Sequence, residues 1–344
     1  ATRDLLRPYG VFAVIAPFNF PMALSAGMAG AALLAGNAVV LKPSDSAPHA
    51  GEVLREVFAL AGLPEDVFQV VHGDGRVGEA LSKQPVDGVA FTGGSAVGRQ
   101  LQQTMLSGPW PRPCLMELGG KNGALVTDSA DLELAVEGCV RSAFGLSGQK
   151  CSALSRIFVA RARHDEFLEK LVRRTAALEV GDPLRREVFT GPVINARAVA
   201  RFEAAVKSAP TVHHGGQRLG GNFVQPTVVS APRGHALTRE ELFLPLVTVD
   251  SFSTFDEALE RLNEVDFGLT AGVFGRDEGE LSRFFEEAQA GVLYANRKTG
   301  ATTGAWPGVQ SFCGWKASGS TGRGGCGPFY VSQFAREQSH TRMS

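Results

Sequence analysis

The sequence predicts an α/β protein built on parallel, doubly wound sheets. Three observations lead there. Short apolar runs alternate with helix-length segments along most of the chain. Turns marked by glycine and proline separate them. The strand-like runs are apolar without interruption, as strands covered on both faces are.

The first elements lie in a stretch without charge, from Tyr9 to Leu41. Its length fits a membrane span, but Pro17, Pro21 and the Gly36-Asn37 pair break it. It reads instead as a strand at 11–16, a loop at 17–20, a helix at 21–35 and a strand at 38–41. A helix at 50–61, the strand "VFQVV", a helix at 77–83, the strand "GVAF" and a helix from Val97 continue the alternation. A second run opens after "ELGGKN", and the domain boundary is placed near Gly119-Gly120. It holds a strand at 124–127 and a helix at 131–144. On that helix Leu132, Val136, Cys139 and Ala143 recur at helical spacing, which makes Cys139 a core residue. The strand "RIFVA" follows, with helices at 164–178, 196–207, 256–264 and 278–290. The glycine-rich stretch 319–327 reads as loop.

Composition narrows the function classes. With 344 residues, 44% of them hydrophobic, and a formal net charge of −1, the chain is long enough for two cores. It shows no basic footprint for nucleic acid. Five cysteines at irregular spacing argue against a disulfide scaffold and for a reducing, cytoplasmic setting. The seven histidines show no metal-ligand spacing, so no metal is expected.

One cysteine stands apart. Cys151, in "GQKCSALSR", lies in a polar turn bounded by glycine, between a helix and a strand. A thiolate attacks best where a cation or oriented N–H groups lower its pKa, and Lys150 and the turn offer both. A cysteine–histidine protease would need a histidine in a comparable setting, and none is evident. A carboxylate base is available in "MELGGKN", where Glu117 ends an apolar stretch and burial would raise its pKa. "PFNFP" offers Asn19, an amide donor in the loop after a buried strand.

Two glycine turns could cradle a pyrophosphate. Gly73-Asp74-Gly75-Arg76-Val77-Gly78 matches GxGxxG between a strand and a helix, but the acidic residue that the fingerprint wants about 20 positions on is missing. "FTGGSAVG", from Phe91 to Gly98, is strand, glycine turn and helix start, and its N–H groups suit an anion.

Taken in order, "PFNFP", "LKPSD", "FTGG", "MELGGKN", "GQKC", "EELF" and "F-x-G-W-K-x-S-G" resemble the NAD(P)-dependent aldehyde dehydrogenase superfamily over roughly Arg7 to Gly319. "GQKCSALSR" with "ANRKTG…TGAWPGVQ" resembles the branch that acts on glutamate semialdehyde, which forms from 1-pyrroline-5-carboxylate. The resemblance implies the aldehyde dehydrogenase fold. It implies a Rossmann-like coenzyme domain at 1–119, a catalytic domain at 120–310, and a C-terminal return and oligomerisation segment at 311–344. It implies that Cys151 attacks the aldehyde, that Asn19 and the Cys151 N–H hold the oxyanion, and that Glu117 activates water against the thioester. It places Lys42 and Asp45 at the adenosine ribose, Gly94 and Ser95 at the pyrophosphate and Glu241 at the nicotinamide ribose, with Phe243 as a further cofactor contact. It places Ser152, Gly304 and Ala305 at the substrate's α-carboxylate. Asp45 would repel a 2′-phosphate, so NAD is expected rather than NADP. A homo-oligomer is expected, with a small-molecule aldehyde as substrate and neither nucleic acid nor membrane as partner.

The pattern departs from the family at Gly94, where a serine is often found, and at Leu244 and Cys313, where glycine is usual. A positive φ at Leu244 would cost about 1–2 kcal/mol. Family members are also longer at the N-terminus. The chain is therefore expected to lack part of its coenzyme domain and one strand of an oligomerisation hairpin, and this span alone to be poorly soluble and inactive. Another semialdehyde, such as succinylglutamate semialdehyde, is the alternative substrate, and a non-catalytic fold the alternative role.

Overall fold

The computed structural model describes residues 2–300 and 309–343. The chain divides into two compact units. Among the described residues, one comprises 2–118, 309–313 and 318–343; the other comprises 119–300 and 314–317.

The first unit begins with β1 (Thr2–Pro8) and β2 (Val11–Ile15), then α1 (Pro21–Leu34), β3 (Ala38–Lys42), α2 (His49–Leu60) and β4 (Phe68–Val70). It continues through α3 (Gly75–Ser82), β5 (Gly88–Thr92), α4 (Ser95–Leu106) and β6 (Cys114–Glu117). Five strands form one sheet in the order β4-β3-β2-β5-β6, every pair parallel. Successive residues of β2 feed opposite faces, which is why its sequence shows no polar alternation. Phe12 and Val14 join Met28, Ala29, Leu54 and Phe334; Ala13 and Ile15 join Leu101 and Met105. The chain runs outward from β2 to β4, then crosses back to β5. The order reverses between β2 and β5, and ligands of open α/β sheets bind outside the carboxyl ends of the strands at such a point.

The second unit holds β7 (Asn122–Val126), α5 (Leu132–Phe144), β8 (Leu154–Ala160), α6 (His164–Ala176), α7 (Ala196–Ser208) and β9 (Thr211–His214). Next come β10 (Arg218–Gly220), β11 (Phe223–Val224), β12 (Thr227–Ser230), α8 (Ala236–Arg239), β13 (Leu246–Phe252) and α9 (Phe255–Asn263). Then follow β14 (Phe267–Gly268), β15 (Thr270–Phe274), α10 (Glu278–Glu287), β16 (Val292–Ala295) and β17 (Trp315–Lys316). Its main sheet has seven strands, ordered β16-β15-β7-β8-β13-β12-β9, with only β9 antiparallel to its neighbour. Ile157 and Val159 pack towards Phe167 and Leu171, while Phe158 and Ala160 face Leu259 and Phe284. The predicted core residue Cys139 is fully buried in the first of these layers.

Helix starts carry visible caps. Asp131, Asn195, Thr254 and Asp277 each accept an N–H of the first turn. The uncharged stretch is β2, α1 and β3, and no helix among the described residues is long and apolar enough to cross a membrane.

The C-terminal chain returns to the first unit. Ser320 Oγ accepts the Met116 N–H at 2.9 Å and donates to the Cys114 carbonyl at 2.9 Å, covering the outer edge of β6. β18 (Ala335–Thr341) then pairs antiparallel with β1 as a largely exposed ribbon.

Asn37 ties these pieces together. Its Oδ1 accepts the Tyr9 and Gly10 N–H groups at 2.8 and 3.0 Å, and its Nδ2 donates to the Ala32 and Phe334 carbonyls at 3.0 and 2.9 Å. Asn37→Ala should cost about 3 kcal/mol of stability, since each abandoned buried polar group carries a desolvation penalty of that order. Denaturant titration of the variant checks this, and a loss below about 0.5 kcal/mol contradicts it.

Candidate active site

In the first unit the predicted residues collect at one edge of the sheet. The strands are parallel, so the ends of β2, β3, β5 and β6 point the same way. Asn19 follows β2 and is buried. Lys42 ends β3, Gly94 and Ser95 follow β5, and Glu117 ends β6. Lys42 Nζ donates to the Pro43 and Gly73 carbonyls at 2.8 Å each, and burial pulls its pKa down against the pull of Asp45 and Asp74. Asp45 is exposed.

The two glycine turns differ. At the start of α3 the Asp74 carboxylate occupies the helix end: Oδ1 accepts the Arg76 N–H at 2.9 Å, and the carboxylate pairs with the Arg76 guanidinium at 2.8 Å. This GxGxxG match is a side-chain-capped helix start. At α4 the N-cap is Gly94, and no side chain among the described residues caps the helix. Its N–H groups lie beside the β2/β5 reversal, the arrangement that suits a phosphate.

Glu117 has an unusual setting within its unit. Oε2 is sealed from solvent with no hydrogen-bond partner among the described residues, and Oε1 accepts the Gly325 N–H at 3.3 Å. Burial pushes its pKa up to about 8.

The second unit gathers its candidates at the opposite kind of edge, where strands begin. Cys151 precedes β8, Gly119-Gly120 precede β7 and Glu241 precedes β13. Between α5 and Cys151 the chain passes through Leu146, Ser147 and Gly148, all with left-handed backbone at φ 54°, 55° and 66°. Side chains hold this turn. Ser147 Oγ is within 2.9 Å of Thr190 Oγ1 and donates to the Gly191 carbonyl at 2.8 Å; Gln149 Oε1 accepts the Ile194 N–H at 2.8 Å. A Cβ at residue 148 would stand 2.2 Å from the Leu244 carbonyl oxygen, so the site requires glycine twice over. Cys151 itself is half-buried, Ser152 is buried, and burial brings the Lys150 ammonium down to about 8.

The thiols of the other four cysteines are all raised above their ordinary pKa. Burial pushes the Cys114 thiol up to about 12 and the Cys139 thiol higher still. Desolvation and the Glu117 carboxylate raise Cys313, and they raise Cys326 in the same way although that residue is exposed overall.

Glu241 is clasped by backbone. Its Oε1 accepts the Gly120 N–H at 3.0 Å, and a Cβ at residue 119 would come within 2.0 Å of Oε2. Burial pushes its pKa up to about 7, against the Gly120 N–H and Lys121. Lys121, absent from the sequence expectations, is itself drawn down to about 7 by burial and by Arg156. The condition for strain at Leu244 is not met: the left-handed residue is Phe243, at φ 59°, while Leu244 is buried among Val193, Val199 and Phe202. The expected substrate residues Gly304 and Ala305 lie outside the described residues. Asn122, which sequence reasoning passes over, donates from Nδ2 to the Cys151 carbonyl at 2.7 Å. Its one signal is a polar residue opening an apolar strand.

An open parallel sheet with its reversal between β2 and β5 characterises the first unit, and a cysteine held in a polar turn the second. The chain belongs to the aldehyde dehydrogenase family, whose model matches residues 2–339. It is 39% identical over 341 residues to 1-pyrroline-5-carboxylate dehydrogenase of Geobacillus sp. (strain WCH70), covering 96% of this chain and 65% of that protein. To the enzyme of that name from Bacillus subtilis (strain 168) it is 38% identical over 334 residues, covering 94% of this chain and 64% of the relative. A solved structure of 1-pyrroline-5-carboxylate dehydrogenase from Thermus with bound NAD is similar at a TM-score of 0.94 and 34% identity, over 99% of this chain and 67% of that one. The chain thus spans somewhat less than two thirds of the length of these curated relatives.

Glu117 gives a pH prediction. Its folded pKa of about 8 lies above the ordinary 4.5. The stabilisation from keeping it protonated is complete below pH 4.5 and lost as pH rises through about 8. Glu117→Gln cannot ionise, so it should gain stability on the wild type between about pH 6 and about pH 9. Unfolding free energies at both pH values check this, and a constant difference contradicts it.

Proposed function

We propose that the protein oxidises an aldehyde to its carboxylate with NAD as acceptor, and that the aldehyde is glutamate 5-semialdehyde. The observation that carries this is Cys151, a half-buried cysteine in a turn pinned from several sides, in a chain of the aldehyde dehydrogenase family. The names of the relatives support the choice of substrate, and the NAD bound in the Thermus structure supports the choice of acceptor.

The residues present fit a dinucleotide. The uncapped start of α4, at Gly94 and Ser95, suits the pyrophosphate. Lys42 and Asp45 at the same edge suit the adenosine ribose, with the Asp45 carboxylate favouring NAD over NADP. Glu241 would serve the nicotinamide ribose, and Phe243 would be a further cofactor contact. Bound NAD would supply the acceptor for the two electrons and hydrogen leaving the substrate carbon.

In this reading the chain's own residues do the rest. The Cys151 thiolate forms a C–S bond to the aldehyde carbon. The Asn19 amide and the Cys151 N–H receive the oxyanion, each such donor being worth about 3–4 kcal/mol. After oxidation the substrate is a thioester on Cys151. Glu117, with a pKa of about 8, takes a proton from the attacking water, a poise suited to exchange near neutrality. Ser152, with Gly304 and Ala305, would hold the α-carboxylate. Residues 1–119 would serve as the coenzyme-binding part, 120–310 as the catalytic part, and 311–344 as the return and oligomerisation segment of a cytoplasmic homo-oligomer.

Two outcomes test this. Glu117→Gln should leave a burst of about one NADH per site followed by a slow phase, because water attack fails after the first oxidation. Loss of the burst itself would assign Glu117 another role. Glutamate semialdehyde should exceed an unsubstituted aliphatic aldehyde of equal length by at least about 100-fold in kcat/KM, since a carboxylate site left unpaired is costly. Equal values would exclude this substrate.

A further inference from the structure

Asn122, the first residue of β7, is 3% exposed, and its amide is fully engaged. Nδ2 donates to the Cys151 carbonyl at 2.7 Å and to the Ala153 carbonyl at 2.8 Å, while Oδ1 accepts the Thr270 N–H at 3.0 Å. The two carbonyls belong to one turn. The Ala153 N–H closes onto the Lys150 carbonyl at 3.0 Å, leaving Cys151 and Ser152 as the central residues. Gripping the Cys151 carbonyl fixes the plane of the following peptide, and with it ψ of Cys151. The direction of the Cα–Cβ bond, and so the volume open to Sγ, follows from that backbone. No room is left to slip: a Cβ at residue 120 would lie 2.6 Å from both Asn122 Oδ1 and the Cys151 carbonyl oxygen.

We propose that Asn122 is a positioning residue for Cys151, aiming the nucleophile by holding both carbonyls of its turn from the neighbouring strand. The proposal rests on the reading of Cys151 as the nucleophile. It assigns Asn122 no contact with substrate or acceptor. Its consequence is confined to how well Sγ is aimed, because a misplacement of about 1 Å from outside the chemistry can cost about 100-fold in rate.

Two variants separate aiming from folding. Asn122→Ala removes the grip outright. Asn122→Asp keeps the volume and the acceptor for Thr270, but when ionised it sets carboxylate oxygen against two carbonyls; when protonated it regains one donor. For each variant, four quantities are compared with the wild type: thermal unfolding, KM for aldehyde and NAD, the single-turnover rate of NADH formation, and the rate of Cys151 alkylation by iodoacetamide. Alkylation by a small unbound reagent needs a reachable thiolate but no alignment with a bound carbonyl. For Asn122→Ala the expected result is a single-turnover rate reduced about 100-fold, with both KM values and the alkylation rate within about two-fold of wild type; Asn122→Asp is judged on turnover alone, because an ionised carboxylate also raises a neighbouring thiol's pKa. For Asn122→Asp the rate relative to wild type should recover as pH falls. An unchanged single-turnover rate would overturn the proposal. So would a rate falling in parallel with alkylation, or in parallel with the folded fraction. Failure of the underlying reading shows separately, as an active Cys151→Ala variant.

Discussion

The setting of Cys151 depends on a stretch of backbone that resists its own conformation. Leu146 and Ser147 are held left-handed just before Gly148 and the cysteine turn. For residues with a Cβ this costs about 1–2 kcal/mol each. Buried polar contacts offset it: Ser147 with Thr190 and the Gly191 carbonyl, Gln149 with the Ile194 N–H, and Asn122 with the Cys151 and Ala153 carbonyls. Strain of this kind persists only where the surroundings over-determine it, and such places cluster at sites that do chemistry.

The scaffold behind that turn is correspondingly stiff. Arg156, 2% exposed, donates to the carbonyls of Lys121, Arg261 and Leu262 at 2.9–3.0 Å, fixing the start of β7 against α9. The charge of Arg156 is therefore spent on structure, and burial draws its pKa down to about 9. Glu117 in the first unit is the reverse case, a carboxyl sealed with little compensation and left with a raised pKa. A group held that way is suited to trading protons, and a group held as Arg156 is suited to holding backbone still.

Much of this is legible in the sequence, and the reasons differ by element. The β-α alternation of the first 118 residues shows because both faces of each strand are covered, so β2, β3 and β5 read as apolar runs. Helix ends are legible to within a residue or two where a cap such as Asp131 or a proline such as Pro21 marks them. The short strands β9 to β12 are not, because strands of two to four residues carry too little pattern. The pairing of β1 with β18 is set by partners at opposite ends of the chain, beyond the reach of local periodicity. Residue types single out Cys151, Glu117 and Lys42 as candidates. The grip of Asn122 on the Cys151 carbonyl does not show, because a side chain bonding to backbone leaves no spacing rule behind. Nor does any local pattern show that the left-handed position beside Glu241 falls at Phe243 rather than Leu244.

The central claim is that Cys151, alone among five cysteines, carries the substrate as a thioester. The direct measurement is mass mapping of the protein quenched in acid during turnover with glutamate semialdehyde and NAD. The account predicts an acyl adduct on the peptide containing Cys151 and none on those containing Cys114, Cys139, Cys313 or Cys326. An adduct on any of those four, or NADH formation with no adduct on Cys151 even when Glu117→Gln slows its release, would contradict it.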